Sequence, residues 1–391
     1  MDSETALKLV RHGVTLLFLD VPPYTLLGVD TQVFNPGPIF KGIKMIPPGP
    51  HIVYYRSSSR EGNGFSPIIG FFIDAGPSEV IVRKWDYQEE RLVKISEEEE
   101  ERYTLAVKNL EFDRQLGPYN LANYGEWKRL SNFITKSSIK RLEPIGGEIS
   151  VVCENDVVRN TPKTSMEEAL DKQLNIDNSA TSFRKYQTKG CYYTTIPRLG
   201  KCKGVSVQEL TSLNLDKTQL LETLLAKDYG GSENLLLGEL QFSFVAFLMV
   251  QSLQAFFQWK SLVSLLFGCT EAPLHTRTQL FTKFIKVIYY QLKYGLEKDS
   301  VVETGLALFD DSRLSVDIFV HHLFKDFLSL VQDGSVVDGD LLSWTRKFMK
   351  LLESKSRVES SVVDGMYFEE NDEFAPVVEI LGDEAQAIYG N

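Results

Sequence analysis

Gly28-Val-Asp-Thr-Gln-Val-Phe-Asn-Pro-Gly-Pro-Ile-Phe-Lys-Gly-Ile-Lys-Met-Ile-Pro-Pro-Gly-Pro-His-Ile-Val-Tyr-Tyr55 is the stretch on which the reading of the fold turns. Gly37, Pro38, Gly42, Pro47, Pro48 and Gly49 punctuate two short runs, residues 40–46 and 51–56. Their spacing predicts adjacent strands joined by a proline-fixed turn. The stretch holds no nucleophile, metal cluster or phosphate cradle, so it reads as an all-β recognition scaffold.

Upstream, a short capped helix is predicted to end at Gly13, followed by a β-prone run at 15–19 that Pro22-Pro23 stops. Downstream, residues 67–73, 79–85 and 91–95 are rich in β-branched and aromatic side chains and are predicted strands. The period then changes. Ser96 and Glu99 form a capping box ahead of a predicted helix at 97–116, with Tyr103, Val107 and Leu110 on one face and Gly117-Pro118 as its stop. A second helix is predicted at 124–135.

Beyond Pro144 the periodicity fades into short polar blocks, which predicts an interdomain linker. Asp216 and Gln219 then fit a capping box, and helices are predicted from there through 233–267, 276–294, 316–331 and 340–352. The run at 235–250 is apolar, but Glu239 and Gln241 interrupt it within less than the roughly 20 residues that a bilayer helix needs, so a buried core helix is expected. Residues 374–381 resume a β-prone run behind all the helices. As a strand it must return to the first sheet or add to a sheet edge on another protein; a loose tail is the alternative. The fold class is therefore α+β. The expected parts are an N-terminal β-sandwich-like domain with flanking helices (1–143), a flexible linker (144–205), a C-terminal all-α helical bundle domain (206–353) and an acidic linker with a short C-terminal strand-like tail (354–391).

Composition narrows the function. The formal charge of −11, from 42 Lys plus Arg against 53 Asp plus Glu, disfavours direct nucleic-acid binding, which needs clustered cations to displace counterions. Cysteines 153, 191, 202 and 269 are scattered without Cys-x-x-Cys pairs, so no zinc site or disulfide framework is expected. The amino terminus shows no secretory pattern.

Catalytic patterns are missing too. The five histidines lack metal-ligand spacing, and no P-loop, dinucleotide fingerprint or nucleophile elbow occurs. The best decoy is Phe71-Phe-Ile-Asp-Ala-Gly76, which presents Asp74 as an aspartic-type hydrolase presents a carboxylate. Ala75 stands where such a site has a hydroxyl residue, and no second motif supplies the partner that a proton-sharing dyad requires. A generic helical protein-binding scaffold is the other alternative.

Four groups of words in order carry a resemblance. They are Gly28, Asp30, Gly37, Pro38, Gly42, Lys44, Met45, Pro47, Pro48 and Gly49; then Gly117, Pro118, Tyr119 and Trp127; then Gly238, Glu239, Leu240, Gln241 and Trp259; and last Ala375, Pro376, Val377 and Val378. In these the chain resembles the Aar-two splicing factors, the family named for the a1-alpha2 repressor. The resemblance implies a non-enzymatic, cytoplasmic and nuclear assembly factor of the U5 small nuclear ribonucleoprotein. Such a factor binds the RNase H-like and MPN-type domains of the large U5 core protein and blocks premature helicase and RNA binding. It uses no cofactor, metal, membrane or direct nucleic-acid contact. The resemblance also implies that Ala375 to Val378 bridge the partner's domains as an added strand, and that release is tied to phosphorylation; candidate sites abound, and Ser165, followed by Met-Glu-Glu168 in the expected linker, is one of them.

Overall fold

Alternating side chains on one strand set the layers of this protein. In β5 (Gly49–Arg56), Val53 and Tyr55 point into one apolar core while Ile52 and Tyr54 point into another. β6 (Ile69–Ala75) repeats the device, with Phe71 and Ile73 on the first side and Phe72 on the second. A sheet apolar on both faces must be covered twice.

The computed structural model describes residues 3–23, 25–34, 36–57, 66–151, 190–197, 215–298, 316–334 and 338–363. Its first half is a sandwich of two five-stranded sheets. One runs β8 (Arg91–Val93), β7 (Val80–Asp86), β1 (Val14–Leu19), β4 (Gly42–Ile46), β9 (Leu116–Pro118). The other runs β10 (Glu148–Ser150), β6, β5, β2 (Leu26–Val29), β3 (Gln32–Phe34). β1 is buried along its whole length, parallel to β7 and antiparallel to β4. Its Leu16 and Phe18 fill the space between the sheets; Leu17 and Leu19 face outward onto Val107 of α2 (Glu97–Lys108).

The second sheet is covered by helices. α3 (Tyr124–Ser131) and α4 (Lys136–Leu142) follow the sandwich, and α5 (Thr218–Asp228), α6 (Glu233–Val250), α7 (Leu253–Phe267), α8 (Thr278–Lys298), α9 (Val316–Asp333) and α10 (Gly339–Val363) form the bundle. Every residue of α6 from Leu236 to Val250 is buried, as expected of a core helix. Phe242 of α6 stacks on Phe72 of β6 with ring centroids 4.2 Å apart, so sandwich and bundle share one continuous apolar core.

Several expectations are corrected. The strands on either side of Pro47-Pro48 are real but do not pair: β4 and β5 belong to different sheets, and the prolines carry the chain from one layer to the other. The backbone reverses there through Met45 (φ +63°) and Gly49 (φ +132°), a corner rather than a hairpin turn. The helix predicted at 97–116 stops at Lys108 because Leu110 adopts φ +64°, leaving Leu110 exposed and returning Leu116-Gly-Pro118 to the sheet as β9. The helix predicted at 233–267 is two, broken at Gln251 (φ +60°) and restarted by the Ser252 side chain, which accepts from the Ala255 amide. Asp216 is no capping-box partner of Gln219; its Oδ1 accepts from Thr218 and from the Thr270 amide. α4 and β10 were not anticipated, and α10 continues to Val363.

Candidate functional site

Asp30, Tyr119, Trp127, Glu239 and Gln241 of the motif residues gather at two buried polar knots. The first forms where the chain turns at Asp30 (φ +56°) between β2 and β3. Asp30 Oδ2 meets His51 Nδ1 at 2.7 Å and accepts a hydrogen bond from the Tyr119 hydroxyl at 2.6 Å, while Oδ1 accepts from the Ile52 amide at 3.2 Å. His51 Nε2 donates to the Pro47 carbonyl at 2.6 Å. Both ring nitrogens thus face groups that only accept, which makes the ring an imidazolium. Burial opposes its charge, but the Asp30 carboxylate and the Pro47 carbonyl outweigh it and raise the pKa above the ordinary value. Burial, then the Asp30 charge, pushes the Tyr119 hydroxyl upward, so it stays a donor.

Around this pair the framework closes. Trp127 lies parallel to the imidazolium with centroids 6.3 Å apart and donates Nε1 to the Pro50 carbonyl at 3.0 Å. Gln32 and Asn120 bond reciprocally through side chain and backbone. Gly28 admits the Tyr54 ring; a Cβ there would fall 2.0 Å from it. Lys44 reaches Asp113 at the surface. Gly37 and Pro38 lie in an exposed loop, Pro47 is buried, Pro48 is exposed, and Gly117 and Pro118 form the edge strand β9.

The second knot is built on α6. Glu239 is fully buried, and its carboxylate accepts from the Thr194 amide (2.7 Å), the Thr194 hydroxyl (2.8 Å), Arg141 (2.9 Å), Gln258 (2.9 Å) and Tyr229 (3.0 Å). Gln254 both donates to and accepts from the Cys191 backbone, so residues 190–197 run as a strap tied to α4, α6 and α7. Two residues further along α6, Gln241 accepts from the Phe133 amide at 2.7 Å and donates to the Arg129 carbonyl and Asn132. Gly238 permits this approach, since a Cβ would stand 2.6 Å from the Phe133 carbonyl oxygen. Leu240 is buried, and Trp259 donates to Gln291 at 2.9 Å inside the bundle.

Asp74 sits half-buried in β6 opposite Pro50, and among the described residues no hydrogen bond joins it to a second carboxylate. No group of three or more His, Cys, Asp or Glu among the described residues could hold a metal ion. Ser165 and Ala375 to Val378 lie outside the described residues. Sequence reasoning singled out Asp30, Tyr119, Glu239 and Gln241 but missed the His51 pairing and the partners Arg141 and Thr194. The usable signal was a carboxylate in an otherwise apolar helix, which must find donors when buried.

Comparison with known proteins matches two stretches. A family described as "AAR2 N-terminal domain" matches residues 12–144, and one described as "AAR2 C-terminal repeat region" matches residues 193–360, although no fixed repeat period was legible in the sequence. Similar curated proteins include "Protein AAR2 homolog" of Macaca fascicularis, 31% identical over 75% of this chain and 78% of that protein. Another is the Caenorhabditis elegans "Protein AAR2 homolog", 29% identical over 88% of this chain and 93% of that one. "A1 cistron-splicing factor AAR2" of Saccharomyces cerevisiae is 24% identical over 71% and 76%.

Proposed function

The chain belongs to the AAR2 family of splicing factors, and from that premise we propose that it serves pre-mRNA splicing as a non-enzymatic assembly factor of the U5 small nuclear ribonucleoprotein. In this reading it holds the RNase H-like and MPN-type domains of the large U5 core protein. It keeps the helicase and RNA away by occupying their space, in cytoplasm and nucleus. It works without cofactor, metal, membrane or direct nucleic-acid contact.

The observation that supports this most is where the motif residues go. Asp30, His51, Tyr119, Glu239 and Gln241 are buried and spend their hydrogen bonds on the framework itself. Groups so committed can shape a rigid body for another protein to grip. They cannot turn over a substrate without unfolding their surroundings. Strand addition by Ala375 to Val378 supplies the second contact, each backbone hydrogen bond contributing roughly 0.5 to 1.5 kcal/mol net. A handful of such bonds gives a complex that can still be released.

The test is a pull-down with purified RNase H-like and MPN-type domains. Retention of the full chain, weakened in a chain lacking residues 374–391, is the expected outcome. Indifference of the full chain at micromolar mixing ends the proposal.

A further inference from the structure

The outer seam between α8 and α10 concentrates cations and aromatic rings on an otherwise acidic protein. Residues 278–296 carry Lys283, Lys286 and Lys293 and no acid; residues 341–352 carry Arg346, Lys347 and Lys350 and no acid. At the centre stands Trp344, half-buried, with Lys286 Nζ 5.2 Å and Lys347 Nζ 4.4 Å from its ring centroid. Tyr289 and Tyr290 pack on the same indole at 5.7 and 6.1 Å, and Arg129 lies over Tyr290 at 5.3 Å. Among the described residues no carboxylate pairs with Lys286, Lys347 or Arg129. Two ammonium groups held at one indole repel each other, and an anion beside either of them relieves that repulsion.

The chain carries such an anion. Residues 364–391 hold eight carboxylates and no Lys, Arg or His, which accounts for eight of the eleven net negative charges. The densest part is Tyr367-Phe-Glu-Glu-Asn-Asp-Glu-Phe374, acids framed by aromatics. Reach fits as well. α10 ends its described course at Val363, and at about 1.5 Å per residue Lys350, Lys347 and Trp344 lie about 20, 24 and 28 Å back along it. At about 3.3 Å per fully extended residue, the chain is long enough for Glu369 to Glu373 to reach up to about 20 to 33 Å from Val363.

We infer that the α8–α10 seam is a docking surface for this chain's own acidic segment around Glu369 to Glu373. The segment folds back along α10, sets its carboxylates against Lys286, Lys347 and Lys350, and covers Trp344. This contact needs no other protein, so it stands or falls separately from the client proposed above. A single-stranded nucleic acid would also suit cations beside stacking rings, but the chain's own tail is tethered within reach and carries the complementary charge.

Trp344 is its own reporter. The other three tryptophans, Trp85, Trp127 and Trp259, are 3%, 1% and 0% exposed, so acrylamide quenching of the full chain reads Trp344, with Trp344→Phe fixing the background. At about 0.1 M salt, Trp344 of the wild-type chain is expected to be shielded. Neutralising the segment (Glu369→Gln, Glu370→Gln, Asp372→Asn, Glu373→Gln) should expose it, as should reversing the seam (Lys286→Glu, Lys347→Glu). Reversing both partners, by adding Glu369→Lys and Glu370→Lys to the seam variant, should restore the shielding. Raising salt to about 1 M, where the screening length falls from about 10 to about 3 Å, should expose Trp344 in the wild-type chain. Equal quenching in the wild-type, tail-neutral and seam-reversed chains would overturn the inference. So would oligouridylate binding to the seam with an affinity that tail neutralisation leaves unchanged, since an occupied seam must resist it.

Discussion

Asp30 and His51 face each other at 2.7 Å with neither side chain more than 1% exposed, and they lock the β2–β3 turn to β5. A buried charge pair of this kind is costly to break from one side. His51→Ala leaves the Asp30 carboxylate buried with the Tyr119 hydroxyl and the Ile52 amide but no counter-charge, and a loss of about 3–5 kcal/mol in folding stability is expected. Urea unfolding followed by circular dichroism checks it; a loss under 1 kcal/mol would mean that the site collapses or hydrates instead.

The same pair gives stability a pH dependence of definite sign. His51 holds its proton more tightly in the folded chain than at its ordinary value of 6.5. Its contribution is therefore complete below about 6.5 and is lost as the pH rises through the folded value. Urea midpoints measured from pH 6 upward should decline more steeply in the wild-type chain than in His51→Gln. Parallel curves would remove the imidazolium from the account.

Gly238→Ala should destabilise by about 1–3 kcal/mol, because the added methyl meets the Phe133 carbonyl and the Ser138 hydroxyl. Gly125→Ala, in α3 with nothing within 4 Å of the new Cβ, should instead stabilise by about 0.4–1 kcal/mol. Thermal or urea melts of the two variants should move in opposite directions.

Glu239→Ala should free the strap at residues 190–197 while costing about 3–5 kcal/mol, since Arg141 loses its ion pair and Thr194 and Tyr229 lose their acceptor. Hydrogen exchange reads the local part: protection of the Thr194 amide should fall further than that of amides inside β5.

Cys269 should resist alkylation in the native protein. Burial, followed by the Asp216 charge, pushes its thiol up to about 12, and its Sγ is fully buried against the Leu265 carbonyl. Peptide mapping after iodoacetamide at pH 8 should find it unmodified until denaturant is added.

The β-rich half was legible because its strands carry local signals: Gly and Pro at the breaks, β-branched and aromatic residues between them. Partnership was not legible. Pro47-Pro48 looks the same whether it closes a hairpin or crosses between sheets, and only the two cores that claim alternate residues of β5 decide it. The end of α2 at Lys108 was hidden because a leucine, not a glycine, takes the left-handed turn at position 110. Glu239 was visible as an anomaly in an apolar helix. Its donors come from positions 141, 194, 229 and 258, and no local pattern links them.

The covering of β6 by α6 also has a consequence for synthesis. Phe72, Ile52 and Tyr54 leave the ribosome long before Phe242, the residue that stacks on Phe72. With β10 ending at Ser150 and the buried part of α6 starting at Leu236, translation at roughly 5–20 residues per second leaves that greasy face without its α6 cover for about 4–17 seconds. A nascent sandwich in that interval is a natural target for cellular holdases, and slowing elongation between the two halves should lower the soluble yield.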